Sequence, residues 1–375
     1  MKNILLASTA LVAFAGAAAA EVAISGSGRM GIVYDKSIVN DDLVRNGGTV
    51  TRSSDAGMSF NSRVRVAFTL TQETDAGVTF GGSIRADNAS AGNNGKGGSV
   101  FMTGAFGKIS MGDVDGAAES AVGNLSGVGY TGLGDFNEAV YLQQGNSDLD
   151  SNQKYSEFAL PAALYQYTTG AASFYVGLGN PGGIALGDST YFDTVVITGG
   201  LIDTKTKVSG IVIDQAYGLG AKYSVDNYSV GFGYESINLS GIATSEGADG
   251  VIGGTSTDDV VKEFDNTIDN WMIGGSATFG GFTLKAQYGQ GSGDTLDLTQ
   301  YGLSGDYTFD AFTVTAFWRS VEVERSNGSK NVESQPFGLG VTYDLGGGAS
   351  IQAGVVDPDR LDEDYRADLG VNFNF

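Results

Sequence analysis

The 375-residue chain contains no cysteine and no histidine, and only 4 prolines. Without cysteine there is no disulfide framework, no thiolate nucleophile and no Cys-ligated zinc. Without histidine the commonest general base and metal ligand is gone, and with it every Ser-His or Cys-His catalytic pair. Basic residues are also few: 21 Lys+Arg stand against 43 Asp+Glu, a formal net charge of −22. A duplex or single strand of nucleic acid needs clustered Lys/Arg to neutralise its phosphates, so nucleic acid is excluded as the partner. Hydrophobic residues make up 41% and aromatics 10%, too much apolar surface for a disordered chain. Long apolar runs are missing beyond the N-terminus, so no helix of the remaining chain is expected to span a membrane.

The N-terminal residues 1–20 read as a cleaved signal peptide. Met1-Lys2-Asn3 is a short basic start, residues 4–20 are apolar and Ala-rich, and Ala18-Ala19-Ala20 precedes Glu21 as an A-x-A cleavage site. A membrane-anchoring helix is the alternative; the short apolar stretch and the small residues at its end argue against it. The mature chain, 21–375, is thus expected to be exported as one domain.

Residues 21–375 alternate with period two, the signature of strands with two unlike faces. Val22, Ile24, Met30, Ile32 and Tyr34 share one face of 22–34, with Ser25, Ser27 and Arg29 on the other. Val64, Val66, Phe68 and Leu70 oppose Arg63, Arg65, Thr69 and Thr71 in 62–73. The same pattern recurs over 217–225, 301–309, 337–345 and the last eleven residues. Short connections fall at 74–77, 105–108, 169–172, 226–227, 280–281, 310–311 and 346–348, rich in the Gly, Asn and Asp of tight hairpins. Long polar segments alternate with them at 35–57, 88–97, 113–158, 180–215, 237–268, 290–299, 320–335 and 357–364. Seven short and eight long connections make sixteen strands, with turns at one end and loops at the other. An all-β, 16-stranded antiparallel transmembrane barrel has this layout. A soluble sandwich also alternates. Aromatics at both strand ends favour the membrane barrel, since two girdles match two bilayer interfaces. They are Phe174, Tyr228, Phe279, Phe282, Phe309, Phe312 and Phe375 near the turns, and Tyr34, Tyr165, Trp271, Tyr288, Trp318 and Tyr365 near the loops.

These residues carry a family resemblance. The mature start EVAISGSGRMGIVYD, the segment NSRVRVAFTL, the hairpin GAFGKISMGD, the segment VTYDLGGGASI and the end ADLGVNFNF resemble the general diffusion porins of alphaproteobacteria, most of all those of purple photosynthetic bacteria and their relatives. The resemblance implies an outer-membrane trimer whose third long loop folds into the barrel. It also implies that Phe375 closes a strand read by the outer-membrane assembly machinery. Two departures stand out. The loop 180–215 is longer than the family needs, and its 190–198 stretch is expected to pair with 207–213 as extra strands outside the membrane. The third loop lacks the Pro-Glu-Phe-Gly-Gly run of enterobacterial porins.

Sixteen strands leave an aqueous channel, so chemistry at the narrowest point decides what passes. Arg29, Arg63, Arg65, Arg85 and Arg366 share the inward parity of four adjacent strands and are expected to form one basic wall. Asp87 and Asp368 are inward acids that would pair with them if the arginines only stiffened the wall. Opposite lies the loop 113–158, with Asp113, Asp115, Glu119, Asp135, Glu138, Asp148, Asp150 and Glu157 against one Lys154. Its apolar members, Val122, Leu125 and Phe136 among them, need something to pack on. Asp113, Asp115 and Glu119 are the first candidates to face the arginines. Such a transverse field orients dipolar solutes and rejects apolar ones. Clustered carboxylates suggest a structural calcium ion, as related porins bind, although no EF-hand spacing is present. The expected function is passive diffusion of small hydrophilic solutes and ions through the outer membrane, with a weak cation preference and no catalysed reaction. A sugar-selective channel, a barrel enzyme and an adhesin are the other readings. A subunit interface is expected near strands one to five, because loop-end aromatics thin out on strands two to five.

Overall fold

Each strand buries one face against whatever fills the lumen and turns the other toward lipid. In the computed structural model, residues 21–35, 41–45, 48–52, 57–87, 98–143, 162–179, 195–197, 200–202, 206–245, 260–294, 296–325, 332–359 and 365–375 are described. The barrel strands are β1 (Glu21–Tyr34), β2 (Met58–Glu73), β3 (Thr79–Asp87), β4 (Ser99–Gly104), β5 (Gly107–Gly112), β6 (Ala162–Thr169), β7 (Ala172–Gly179) and β8 (Thr206–Val225). They continue as β9 (Tyr228–Ser245), β10 (Val260–Phe279), β11 (Phe282–Ser292), β12 (Leu296–Phe309), β13 (Phe312–Arg325), β14 (Phe337–Gly346), β15 (Ala349–Asp357) and β16 (Arg366–Asn374). A short segment, Val332–Ser334, extends the β14 side of β13. Every neighbour is antiparallel, and β1 pairs with both β2 and β16, so the sheet has no edge.

The outward face is a lipid-facing band. Ile24, Val64, Leu70, Leu219, Leu303 and Leu369 alternate along it, and Phe60 is 92% exposed. A soluble sheet would bury these side chains. At the turn end, outward rings run from strand to strand: Phe279 against Phe282, Phe282 against Tyr307 at 4.2 Å, Phe309 against Phe312, and Phe312 against Tyr343. At the loop end the pairs are Trp271–Tyr288, Tyr301–Trp318 and Tyr34–Tyr365. The two girdles expected from the sequence are therefore present, except that Tyr165, expected near the loops, donates its hydroxyl to the Phe106 carbonyl in the β4–β5 turn at 2.6 Å and so belongs to the turn end. Gly26 and Gly28 leave room on the outer face for the rings of Phe375 and Phe373, which stack on each other at 6.0 Å.

The loop boundaries differ from the expectation in several places, among them 320–335, which is strand over 320–325 and 332–334. The segment 207–213 does not pair with 190–198. It is part of β8 and pairs with β9, Lys207 opposite Thr244 and Ile213 opposite Leu239, while Val195–Ile197 pairs with Gly200–Ile202. Most of 237–268 is strand, because β9 and β10 remain paired from Tyr228–Ala277 to Ser245–Val260. β11 and β12 likewise reach Ser292 and Leu296, which takes up most of the expected loop 290–299. At about 3.4 Å per residue, strands such as 20-residue β8 and β10 are far longer than the ~9–11 residues a crossing requires. Beyond the bilayer both faces meet water, so hydrophobic alternation fades while the hydrogen-bond ladder continues. The first long connection also holds a small hairpin, Asp41–Arg45 with Gly48–Arg52.

Candidate functional site: the in-folded loop and its wall

The well-buried apolar residues are concentrated in the loop that follows β5. Ala117, Ala118, Leu125, Val128, Leu133 and Phe136 are all buried, in a chain whose strands expose their apolar side chains. The loop lies inside the barrel. Its helix α1 (Ala117–Val122) packs on β7, β8, β9 and β10. The chain then runs along the wall past β12, β14 and β15 to β16 and returns by the same side.

Glycines make this seat. A Cβ at Gly231 would lie 2.2 Å from the Ala121 carbonyl oxygen, one at Gly220 2.3 Å from that of Ala117, and one at Gly233 2.5 Å from the Ala118 Cα. Farther round, a Cβ at Gly354 would meet the Gly129 nitrogen at 2.5 Å. Inward glycines thus let loop backbone approach wall backbone along successive strands. Apolar contacts fill the rest: Val128, Leu133 and Phe136 cluster with Phe317 and Val356 of the wall.

Polar side chains of the wall receive the loop's backbone. Asp368 accepts the Tyr130 N–H at 3.2 Å, the Thr131 N–H at 2.8 Å and the Thr131 hydroxyl at 2.6 Å. Gln300 both accepts the Val140 N–H, at 2.8 Å, and donates to its carbonyl, at 2.9 Å, as a sheet neighbour would. Ser304 accepts the Ser126 N–H, and Asp306 accepts the Ser126 hydroxyl at 2.7 Å. Glu235, wholly buried, accepts the Leu142 N–H at 2.7 Å. Arg319 and Lys285 donate to the carbonyls of Phe136 and Asn124. None of these anchors except Asp368 stands out in the sequence as a site residue. The signal that would find them is a carboxylate or glycine at inward parity in mid-strand, as at Gly231, Gly233 and Glu235.

The five arginines all point inward and occupy different surroundings. Arg29 and Arg63 are direct Cα partners across β1 and β2. Arg65 holds Asp87 through Nε and Nη2, both at 3.0 Å, and Arg85 Nε lies 3.2 Å from the same carboxylate. Arg29 reaches the Thr131 carbonyl at 3.5 Å and lies within electrostatic range of Asp135. Arg366 pairs with Asp35 at 3.3 Å and lies 5.2 Å from the Phe136 ring. Of the two expected acidic partners, Asp87 does pair with arginines, whereas Asp368 spends its hydrogen bonds on the loop.

The loop acids sit close together on the partly open side of the loop, Asp115 exposed and Asp113, Glu119, Asp135 and Glu138 half-buried. Burial, with Asp115 and Glu138 nearby, pushes the Glu119 carboxyl up to about 8, against one opposing hydrogen bond from Asn124. Burial, then Asp135, pushes Glu138 up to about 7, with Arg319 opposing. Burial and the charge of Asp113 raise Asp115. Asp113 itself begins the loop, its N–H bound to the Gly98 carbonyl at 3.1 Å. Asp148, Asp150, Lys154 and Glu157 lie outside the described residues. Among the described residues, no three acidic groups converge to hold a metal ion, so the calcium expectation gains no site here.

The family profile of the Gram-negative porins matches residues 7–360. The chain belongs to the Gram-negative porins. It is 31% identical to a porin of Rhodobacter capsulatus, over 95% of this chain and all of that one. A porin structure refined at 1.8 Å is similar over 95% of this chain and all of its own, with a TM-score of 0.63 and 29% identity. A mutant of Rh. blastica porin, also covered in full by 95% of this chain, shares the fold at a TM-score of 0.60 and 21% identity. This porin is a bacterial outer-membrane channel for small solutes and not an enzyme. The sixteen-stranded barrel expected from periodicity is the fold found.

Proposed function

We propose that this porin passes small hydrophilic solutes and ions by passive diffusion through a gap between a basic wall and the acidic, in-folded loop. The wall is Arg29, Arg63, Arg65, Arg85 and Arg366; the acids are Asp113, Asp115, Glu119, Asp135 and Glu138. One observation carries the reading. The loop contacts the wall from β7 to β16 and reaches β1 at Arg29, and the inward arginines Arg63, Arg65 and Arg85 stand on the adjoining β2 and β3. A solute crossing there exchanges bulk water for guanidinium donors on one side and carboxylate acceptors on the other. The 43 acids of the chain tip the balance toward cations at the mouth.

The mature protein begins at Glu21 after removal of the signal peptide, and it assembles as a homotrimer through the face around β1–β5. Support for the first comes from the basic, apolar and small-residue pattern of 1–20, and for the second from the thinner loop-end girdle on β2–β5.

The test is conductance of the purified protein in a planar bilayer under a salt gradient. Stepwise openings in threes with a cation-signed reversal potential are expected. A folded barrel that never conducts would overturn the diffusion reading, and single steps only would overturn the trimer.

A further inference from the structure

The loop has a neck. Its outgoing limb passes Gly116 and its returning limb passes Gln143, and the Gly116 N–H donates to the Gln143 carbonyl at 2.9 Å. Beneath this junction sits Glu235 of β9, wholly buried. Its Oε2 accepts the Leu142 N–H at 2.7 Å and Asn270 Nδ2 at 3.4 Å, and its Oε1 accepts the Gln143 N–H at 3.4 Å. Asn270, its direct cross-strand partner, also donates to the Val140 carbonyl at 3.2 Å. A Cβ on Gly116 would lie 2.2 Å from the Gln143 carbonyl and 3.0 Å from Glu235 Oε1, so glycine is what lets the neck close over the carboxylate. Between neck and tip the limbs are joined again, by the Tyr141 hydroxyl donating to the Gly123 carbonyl at 2.6 Å.

A carboxylate in the dry interior of a wall costs several kcal/mol in general unless its surroundings compensate. Here the hydrogen-bond partners of Glu235 are N–H donors, two of them from the loop backbone, so the compensation depends on the loop being in place. The loop in turn has few ways to leave without stranding a buried charge. We infer that Glu235 is a positioning residue of the channel: it locks the neck of the in-folded loop and thereby fixes the aperture and its steadiness. The inference rests on the reading that this loop narrows the pore. Glu235 touches no solute in this scheme and acts through Leu142 and Gln143.

Two substitutions approach the clasp from opposite sides. Glu235→Gln keeps the shape but turns an amide N–H₂ toward N–H donors. Leu142→Pro removes the principal donor and leaves the wall intact, which keeps the test alive if E235Q does not assemble. Ser229→Ala is the control: Ser229 lies on the same strand as Glu235, and the change breaks an inward hydroxyl pair with Ser276 of β10 at 2.8 Å. Each purified porin is checked for heat-modifiable mobility, then measured for open-channel current noise and for liposome swelling with a monosaccharide and a trisaccharide. Wild type should admit the monosaccharide far faster; if it does not, the narrowing itself is refuted and Glu235 is not to blame. With wild-type discrimination in hand, E235Q and L142P are expected to raise brief conductance fluctuations about tenfold, the effect of losing one charge-assisted hydrogen bond, and to relax the size preference. Folded variants with wild-type noise and size preference would overturn the inference, and so would an equal rise in S229A.

Discussion

Asp368 and Thr131 are 237 residues apart in the chain and joined by two hydrogen bonds, from the Thr131 N–H at 2.8 Å and its hydroxyl at 2.6 Å. The last strand of the barrel thus holds the far end of the in-folded loop. A carboxylate accepting N–H and O–H groups at this depth contributes more than a neutral acceptor, in general about 1.5–3 kcal/mol per bond. Asp368→Ala removes every acceptor at once. The variant is expected to fold as a barrel, because the β1–β16 ladder does not depend on this side chain, and to show wider, noisier channels. Unchanged conductance in D368A would show that the apolar cluster around Phe136 holds the tip without it.

The glycine seat makes a sharper demand. At Gly231 the nearest obstacle to a side chain is backbone, the Ala121 carbonyl oxygen, which cannot swing aside as a flexible side chain can. Gly231→Val is expected to displace α1 from the wall and to lower thermal stability by the ~1–3 kcal/mol typical of overpacking. Gly305→Val is the matched control, since a Cβ there meets only the Leu284 side chain, at 3.2 Å on the lipid face. Melting and conductance of the two variants, measured side by side, check this. Equal behaviour would mean that the loop yields without cost.

Much of this architecture is legible in the sequence. Phe279-Gly280-Gly281-Phe282 announces a hairpin flanked by outward aromatics, and the turn is found there. The inward parity of Arg63 and Arg65 follows from Val64 and Phe68 between lipid-facing positions. The anchors were hidden for a physical reason. Glu235 lies just before 237–245, a stretch expected as loop because Ser236, Asn238, Ser240, Gly241, Thr244 and Ser245 dilute its Ile237 and Leu239, yet the strand runs through it. Gln300 and Ser304 are ordinary inward residues until the loop arrives. Which wall the loop 113–158 settles on depends on contacts up to hundreds of positions away, and only the inward glycines of β8, β9, β14 and β15 foreshadow it.

Asp87 is shared by two arginines, Arg65 at 3.0 Å and Arg85 at 3.2 Å. Asp87→Asn would leave both guanidiniums in place and remove the negative charge between them. The reversal potential under a salt gradient is then expected to move toward anions, and Arg63→Ala/Arg65→Ala to move it the other way. Coulomb effects in a wet lumen are screened, so both shifts should shrink as salt rises. No movement in either variant would take the β2–β3 wall out of the solute path.

Glu119 and Glu138 make the channel's charge depend on pH near neutrality. Both carboxyls are raised, to about 8 and about 7, because burial penalises the charged form and nearby acids repel it. In the unfolded chain they titrate near 4.5. The seated loop therefore binds more protons than the unseated one between those limits, and its seating weakens as pH rises from about 4.5 toward 8. The same titration adds negative charge to the loop. Raising pH from 6 to 9 is expected to increase cation preference and open-channel noise together, with the main change between about 7 and 8. Glu119→Gln should abolish the upper part of that change and leave the part near 7, which belongs to Glu138. Reversal potentials and noise recorded at closely spaced pH values on both proteins decide it: a flat wild-type profile across this range would mean that neither carboxyl titrates where its burial requires.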